Sequence, residues 1–493
     1  MGTVGVVGGG VAGLAAAHYI LRRPSVTRLR VDSETKTLTK DIARVVVLEA
    51  SPRLGGWVKT TRHRDGIIYE AGPRTIRPAG QPGANTLALV QELGIEDLVR
   101  PVKYGSPSAS TRLVVADGAL HKLPSSFGSL FKTLTPFQRP LAFALIQDLM
   151  SLKHVSEDES LHDFILRRLG PDIANYAVAP LVRGICAGDS RQMSVHFIAS
   201  YLHSLEQSSG RISLGFAKDW IKGKVSSGAT TPEETCDLVK KARAERWAVW
   251  GLAGGLQTLT ERWAESLQSR GVEIKLNSPV ESLEMEKTGS GVCRGKIALS
   301  TKDDTLLCDN VVLAAPSFTT SRLVTPLHPE LAATLASIPF VDVAVTNLEY
   351  LGRDVQGDKG FGFLVPPTQP EPILGCIYDT CTFAQGNRTI FTVMMGGAWY
   401  NQMVGSKNER EVSEVAQGTV QKLLGFTATP QRTATSLLSQ CIAQYTVGHR
   451  NRVAKARQLI KDDCPGLSIV GSSYDGVGIN DTILSSKTQV SNL

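Results

Sequence analysis

The chain has 493 residues, 42% hydrophobic and 20% charged, with a formal net charge of +7. Length and balance describe a globular protein of two or three domains and exclude a disordered chain. The mild positive charge suits an anionic surface or an acidic substrate, but no Lys/Arg stripe with interleaved aromatics is present, which excludes a nucleic-acid binder.

The eight cysteines include no CxxC pair. Cys376 and Cys381, the nearest two, lack other Cys or His at zinc spacing, so the cysteines read as buried, reduced thiols and no metal is expected. No apolar run reaches the ~18 residues that span a bilayer. No signal peptide opens the chain, and Val6 stands where a myristoylation signal requires Ser or Thr. Any import address is therefore expected inside the chain, or else the protein stays where it is made.

A short apolar run over residues 3–7 is followed by Gly8, Gly9, Gly10, Val11, Ala12 and Gly13, then by an Ala-rich stretch over 14–21. Strand, tight turn and helix in that order make the βα unit of a dinucleotide fold. Gly8 permits the turn, Gly10 lets backbone approach a pyrophosphate, and Gly13 lets helix pack on strand. The helix N-terminus turns free N–H groups and the positive end of its dipole toward the phosphates. The ribose acid of such a fold ends the second strand, about 20 residues on. Here the next apolar strand (VVVL, 45–48) ends later, at Glu49, which makes the polar stretch 28–40 an inserted loop. Ala50 follows, then Ser51-Pro52-Arg53-Leu54-Gly55-Gly56-Trp57, whose glycine pair lets backbone pass close to a bound cofactor.

Residues 140–152 and 161–169 show helical spacing with Gly and Pro punctuation between them. Leu123, Phe127, Leu130, Phe131, Leu134, Phe137, Leu141 and Phe143, set among Lys122, Lys132 and Arg139, suit a helix face in a membrane interface or an ordinary core equally. Residues 226–231 (SSGATT) read as a flexible loop. Residues 251–259 (GLAGGLQTL) open a helix behind a glycine pair, and 273–280 (EIKLNSPV) form a strand whose end brings the Val280 backbone to an adenine. Residues 309–316 (DNVVLAAP) are another buried strand, as a doubly wound sheet requires. Near the C-terminus LSIVG (467–471) forms a strand, and a Gly-rich turn follows. A helix is expected from Ile479 to Lys487, with Val477, Gly478 and Ile479 at the cofactor, and its N-terminus faces the same ligand as the front loop.

The front glycines, the strand-end Glu49 and the Arg53-x-Gly55-Gly56 loop together resemble the FAD signature of the flavin amine oxidase superfamily. Further stretches narrow the likeness: Gly72-Pro73-Arg74-Thr75-Ile76-Arg77-Pro78-Ala79-Gly80, GALHKLP (118–124), LVRGICAG (181–188), QYTVGH (444–449) and SYDGVGIND (473–481). Over essentially its whole length the chain resembles the protoporphyrinogen oxidase family, in its mitochondrial or fungal form. It departs from that pattern at 28–40, at 222–234, and at Arg450, where an aromatic is expected.

The resemblance implies an α/β fold: a doubly wound, Rossmann-like FAD-binding domain (1–105, 240–325 and 455–493), a helical membrane-binding domain (106–239) and a strand-rich substrate domain (326–454). It implies one non-covalent FAD per chain and a penultimate step of haem synthesis. Protoporphyrinogen IX loses six electrons as three hydride equivalents to the flavin, and molecular oxygen becomes hydrogen peroxide. Hydride transfer to flavin N5 needs no catalytic side chain, and no Ser/His/Asp array, carboxylate pair or HExxH is present. Arg112 would bind a substrate propionate, the Gly184 carbonyl would meet a pyrrole N–H, and Phe361, Leu364 and Met394 would sandwich the macrocycle. On bare sequence those last three read as core. The family sits on the intermembrane-space side of the mitochondrial inner membrane as a peripheral protein. It admits a homodimer and a ferrochelatase contact without deciding either. An amine oxidase of the same superfamily and a non-catalytic tetrapyrrole-binding flavoprotein are the competing readings.

Overall fold

The structure, a computed structural model, describes residues 2–22, 27–31, 38–42, 44–124, 127–221, 232–287, 293–352 and 360–491. Five parallel strands form one sheet in the order Glu273–Lys275, Arg44–Leu48, Thr3–Val7, Asn310–Leu313 and Leu467–Ile469. Helices cover the sheet, so its strands are continuous apolar runs rather than alternating ones; Val6, Val46, Val47, Val311 and Val312 are fully buried. The first helix, Val11–Leu21, starts directly after the glycines, three residues ahead of the Ala-rich stretch. It shares a core with helices Gln257–Ser269 and Ile479–Val490 through Leu14, Trp263, Leu267 and Ile483. The two ends of the chain thus meet on one sheet.

Residues 28–40 are not simply a loop. Thr27–Val31 pairs antiparallel with Leu38–Ile42, Thr27 opposite Ile42 and Val31 opposite Leu38. The alternation in TRLRV is a strand pattern that its charges obscure. The SSGATT stretch lies outside the described residues.

A second sheet has seven strands, in the order Arg432–Ala443, Phe340–Leu351, Arg388–Gly396, Gly375–Tyr378, Gly362–Leu364, Leu113–Ala116 and Ala119–Lys122. The last two come from the segment expected to be helical. Leu113–Ala116 (LVVA) is buried at all four positions and pairs parallel with Gly362–Leu364, so burial draws this hairpin into the sheet.

The intervening chain is helical, including Phe143–Met150, Leu161–Leu169, Ala179–Cys186, Ser200–Ser209 and Ile212–Ile221. Ser160 caps the second of these, its Oγ accepting from the Asp163 N–H at 3.0 Å. Phe137, grouped above with rings suited to a membrane interface, is core: it is 4% exposed and meets Tyr176 edge-on. Phe131 and Phe143 are exposed; the Phe127 side chain lies outside the described residues. None of the eight cysteines is in a disulfide; six are buried as expected, whereas Cys236 and Cys381 are only partly so. Among the described residues no His/Cys/Asp/Glu group could hold a metal, and no helix is long and apolar enough to cross a membrane.

Candidate cofactor and substrate site

Gly8 has φ +106°, which a side chain rarely adopts. A Cβ on Gly13 would lie 1.8 Å from the Gly8 carbonyl oxygen, so only glycine lets the helix sit this close to the strand. Gly10 is different. Its Cβ would meet nothing nearer than the Gly56 Cα at 3.8 Å, so the space over the helix start is left clear. Gly10 bridges to Gly55, and the Gly55 N–H donates to the Gly9 carbonyl at 2.9 Å. The two glycine loops therefore lie side by side.

Glu49, at the end of strand Arg44–Leu48, accepts the Gly9 N–H at 2.6 Å and the Ser51 N–H at 2.8 Å. Arg53 folds back on its own loop, donating to the Leu54, Val58 and Gly56 carbonyls. Residues 273–280, expected as one strand, pair only over Glu273–Lys275. Beyond it Asn277, at φ +51°, turns the chain, and the N–H groups of Asn277 and Ser278 donate to the Ser51 and Glu49 carbonyls. Val280, two residues beyond Ser278, is partly buried against the core.

The other half of the site arrives from the C-terminus. Gly471, after the last strand of the sheet, has its Cβ position 3.4 Å from the Ala12 Cβ. Gly478 begins helix Ile479–Val490 with no side-chain cap, as Gly10 begins Val11–Leu21. Ile479 and Val11 both pack against the core cluster that contains Leu256, and Asn480 Nδ2 donates to the Arg77 carbonyl at 2.7 Å. A Cβ on Gly72 would lie 2.2 Å from the Trp57 carbonyl oxygen, so the loop Gly72-Pro73-Arg74-Thr75 presses against the end of the Arg53–Trp57 loop. Two uncapped helix N-termini, two adjoining glycine loops and a strand-end carboxylate fit a dinucleotide.

Buried Arg74 pairs with Asp379 at 2.5 Å, joining this loop to the second sheet. Between them opens a cavity of about 360 Å³ lined by Glu70, Arg74, Arg100, Leu256, Asp379 and Phe383, among others. The Glu70 carboxylate accepts the Leu256 N–H at 2.6 Å and the Thr60 hydroxyl at 2.8 Å, yet burial raises its pKa to about 7. Nothing in the sequence distinguishes Glu70 from a surface glutamate.

On the seven-stranded sheet Leu364 stands opposite Gly375, and Gly375 opposite Met394. Directly paired residues project to the same face, and neighbouring strands are about 4.8 Å apart. Leu364 and Met394 thus rise from strands roughly 10 Å apart with Gly375 between them, and the Leu364 side chain leans over that glycine, its Cδ2 3.1 Å from the Gly375 Cβ position. Both are partly accessible, while Phe363, Val393 and Met395 beside them are buried. Gly184 abuts the Leu364 wall: its Cβ position is 2.5 Å from Leu364 Cδ2. Phe361, just before the Leu364 strand, carries the Arg112 guanidinium at 5.5 Å from its ring centre. Arg112 forms no ion pair among the described residues. Surrounding protein, and then the nearby Arg77 guanidinium, depress its pKa, so the position favours an arriving anion.

This fold and these paired glycine loops define a flavoenzyme. The chain belongs to the flavin containing amine oxidoreductase family, whose sequence model matches residues 11–493, and within it to the protoporphyrinogen oxidases. The protoporphyrinogen oxidases of Bos taurus and Homo sapiens are each 36% identical to it over 492 residues, covering 98% of this chain and 97% of theirs. A solved structure from Exiguobacterium sp. 255-15 shares the fold at a TM-score of 0.77 with 24% identity, covering 100% of this chain and 98% of that one. The cofactor of this oxidoreductase is FAD.

Proposed function

We propose that the chain oxidises protoporphyrinogen IX to protoporphyrin IX, with oxygen as the final acceptor and hydrogen peroxide as the second product. The observation that carries this reading is the row Leu364–Gly375–Met394, two apolar side chains on one sheet face with a glycine between them, suited to a flat macrocycle; Arg112, which touches the Ser108 and Thr111 carbonyls and has no carboxylate partner among the described residues, is offered to a propionate. FAD, when bound, supplies the chemistry, accepting hydride equivalents and returning electrons to oxygen. The protein's part is placement and exclusion of water. Gly184 and Leu364 set one wall, Met394 the other, and Arg112 fixes the orientation of the ring. The test is the growth of protoporphyrin fluorescence from protoporphyrinogen in air, followed together with peroxide. A rate no greater than without enzyme would overturn the proposal.

The reading extends to peripheral attachment at the mitochondrial inner membrane, on the intermembrane-space side. Its support is an apolar surface of the helical segment, where Leu145, Ile146, Leu149, Met150 and Leu152 are 46–84% exposed. Trp220 and Ile221, at the end of Ile212–Ile221, are 69% and 78% exposed. That helix packs against Phe143–Met150. Apolar groups on two adjoining helices suit a bilayer interface.

A further inference from the structure

Arg183 is an expensive residue where it stands. It lies on helix Ala179–Cys186, only 3% exposed, and pairs with no carboxylate among the described residues. Burial lowers its pKa to about 10, opposed only by the charge of Asp189, so it stays charged at neutral pH. Its Nε has no hydrogen-bond partner. Burying an unpaired cation costs several kcal/mol, and a methionine would fill similar space without that cost.

The contacts the guanidinium does make run in three directions. Nη1 donates to the Val365 carbonyl at 2.7 Å, and Val365 directly follows the wall residue Leu364. The guanidinium lies over the Trp399 ring, 4.6 Å from its centre. Nη2 approaches Met403 Sδ at 4.0 Å, and that sulfur also accepts the Gly396 N–H at 3.3 Å. Gly396 ends the strand that carries Met394. Backbone reinforces the same junction: the Ala398 N–H donates to the Ala187 carbonyl, and a Cβ on Gly397 would lie 2.1 Å from that carbonyl oxygen. One planar group therefore ties the helix of Gly184 to the strand ends of both Leu364 and Met394.

We propose that Arg183 is a positioning residue for the substrate slot, a brace whose planar fork holds the Gly184–Leu364 wall at its distance from Met394. The proposal rests on the reading that the slot takes the macrocycle. A planar guanidinium can hydrogen-bond to a carbonyl in its plane and stack on an indole through its face at once, whereas an ammonium offers no plane. Arg183 acts on the substrate through Leu364, so its loss weakens ground-state and transition-state binding alike.

The test compares Arg183→Lys and Arg183→Met with wild type, each also in a Leu364→Ala background. Both single variants should keep full flavin absorbance per chain and a kcat within about twofold of wild type, while KM for protoporphyrinogen rises about tenfold, the scale of one lost charged hydrogen bond. Lys should recover no more than Met. In the Leu364→Ala background the further effect of Arg183→Met on KM should shrink below about twofold, because the two residues act through one wall. Dissociation constants for protoporphyrin IX, read by fluorescence quenching, should follow the same pattern without turnover. The brace is refuted if KM and product binding are unchanged, if Lys restores wild-type values, or if the Met effect persists undiminished without Leu364. Should Arg183→Met fail to hold flavin, Trp399→Leu removes the stacking face alone and is judged by the same outcomes. A wild type that forms no protoporphyrin refutes the proposed function instead, and product binding then still decides the role of Arg183.

Discussion

Gly184→Ala adds one methyl group behind Leu364, at the back of the proposed substrate slot. The new Cβ would stand 2.5 Å from Leu364 Cδ2, 3.5 Å from Cδ1 and 3.6 Å from Cγ. Contact between carbons is comfortable at about 3.5–4.0 Å, so the tip of Leu364 must retreat by roughly 1–1.5 Å while its stem stays put. Replacing a helical glycine by alanine gains about 1 kcal/mol, and overpacking costs about 1–3 kcal/mol. The two nearly cancel, so the melting temperature should move by only a few degrees. The slot should not escape so lightly. Leu364 turning away from Gly184 moves over the Gly375 strand and crowds the slot, and about 1–2 kcal/mol of lost substrate contact is a roughly five- to thirtyfold rise in KM. Turnover should change less, because a wall contact is made in ground and transition states alike. The assay is steady-state protoporphyrin fluorescence beside a thermal melt, with Gly184→Ala/Leu364→Ala as the control. That double variant should bind substrate better than Gly184→Ala, since the methyl then has room. An unchanged KM for Gly184→Ala, or no relief in the double variant, would refute the slot geometry.

Arg112→Ala should raise KM by about one to two decades with little loss of flavin, since a guanidinium–carboxylate contact contributes about 1.5–3 kcal/mol; a substrate with esterified propionates should be indifferent to the change, and an equal response would mean Arg112 only shapes the pocket. Gly10→Val should give colourless protein, because the space over the helix start would be filled; a full flavin spectrum would contradict the front-loop assignment. Glu70 titrates near 4.5 unfolded and near 7 folded, so the folded state holds the extra proton between those values and stability falls as pH rises through that window. Glu70→Gln should accordingly gain up to about 3 kcal/mol more, relative to wild type, at pH 8 than at pH 5, measured by denaturant unfolding of the flavin-loaded protein; equal differences at both pH values would refute the assignment. Replacing Leu145, Ile146, Leu149 and Trp220 by Ser should weaken binding to anionic vesicles with activity in detergent intact, whereas Phe137→Ala should destabilise the fold by about 3–5 kcal/mol; loss of folding in the first variant would show those side chains to be core.

The cofactor half was legible because its physics is local. A strand, a glycine turn and a helix are contiguous in Thr3–Leu21, and each glycine's role follows from backbone geometry within a few residues. Parallel strands buried on both faces announce themselves as apolar runs, so residues 45–48 and 310–313 were readable as well. Where partners are distant in sequence, pattern alone failed. The same phenylalanines suit a core or a membrane, and only packing against Tyr176 decides for Phe137. The hairpin Leu113–Lys122 sits within a helical stretch yet completes a sheet whose other strands begin more than two hundred residues later, because LVVA needs burial and finds it there. Leu364 and Met394 were named through family likeness, but their facing across Gly375 is a matter of strand register, which is set by pairing between segments. The desolvation of Glu70 and Arg183 belongs to the tertiary structure too: a glutamate and an arginine look alike in any sequence until the chain closes around them and withdraws the water.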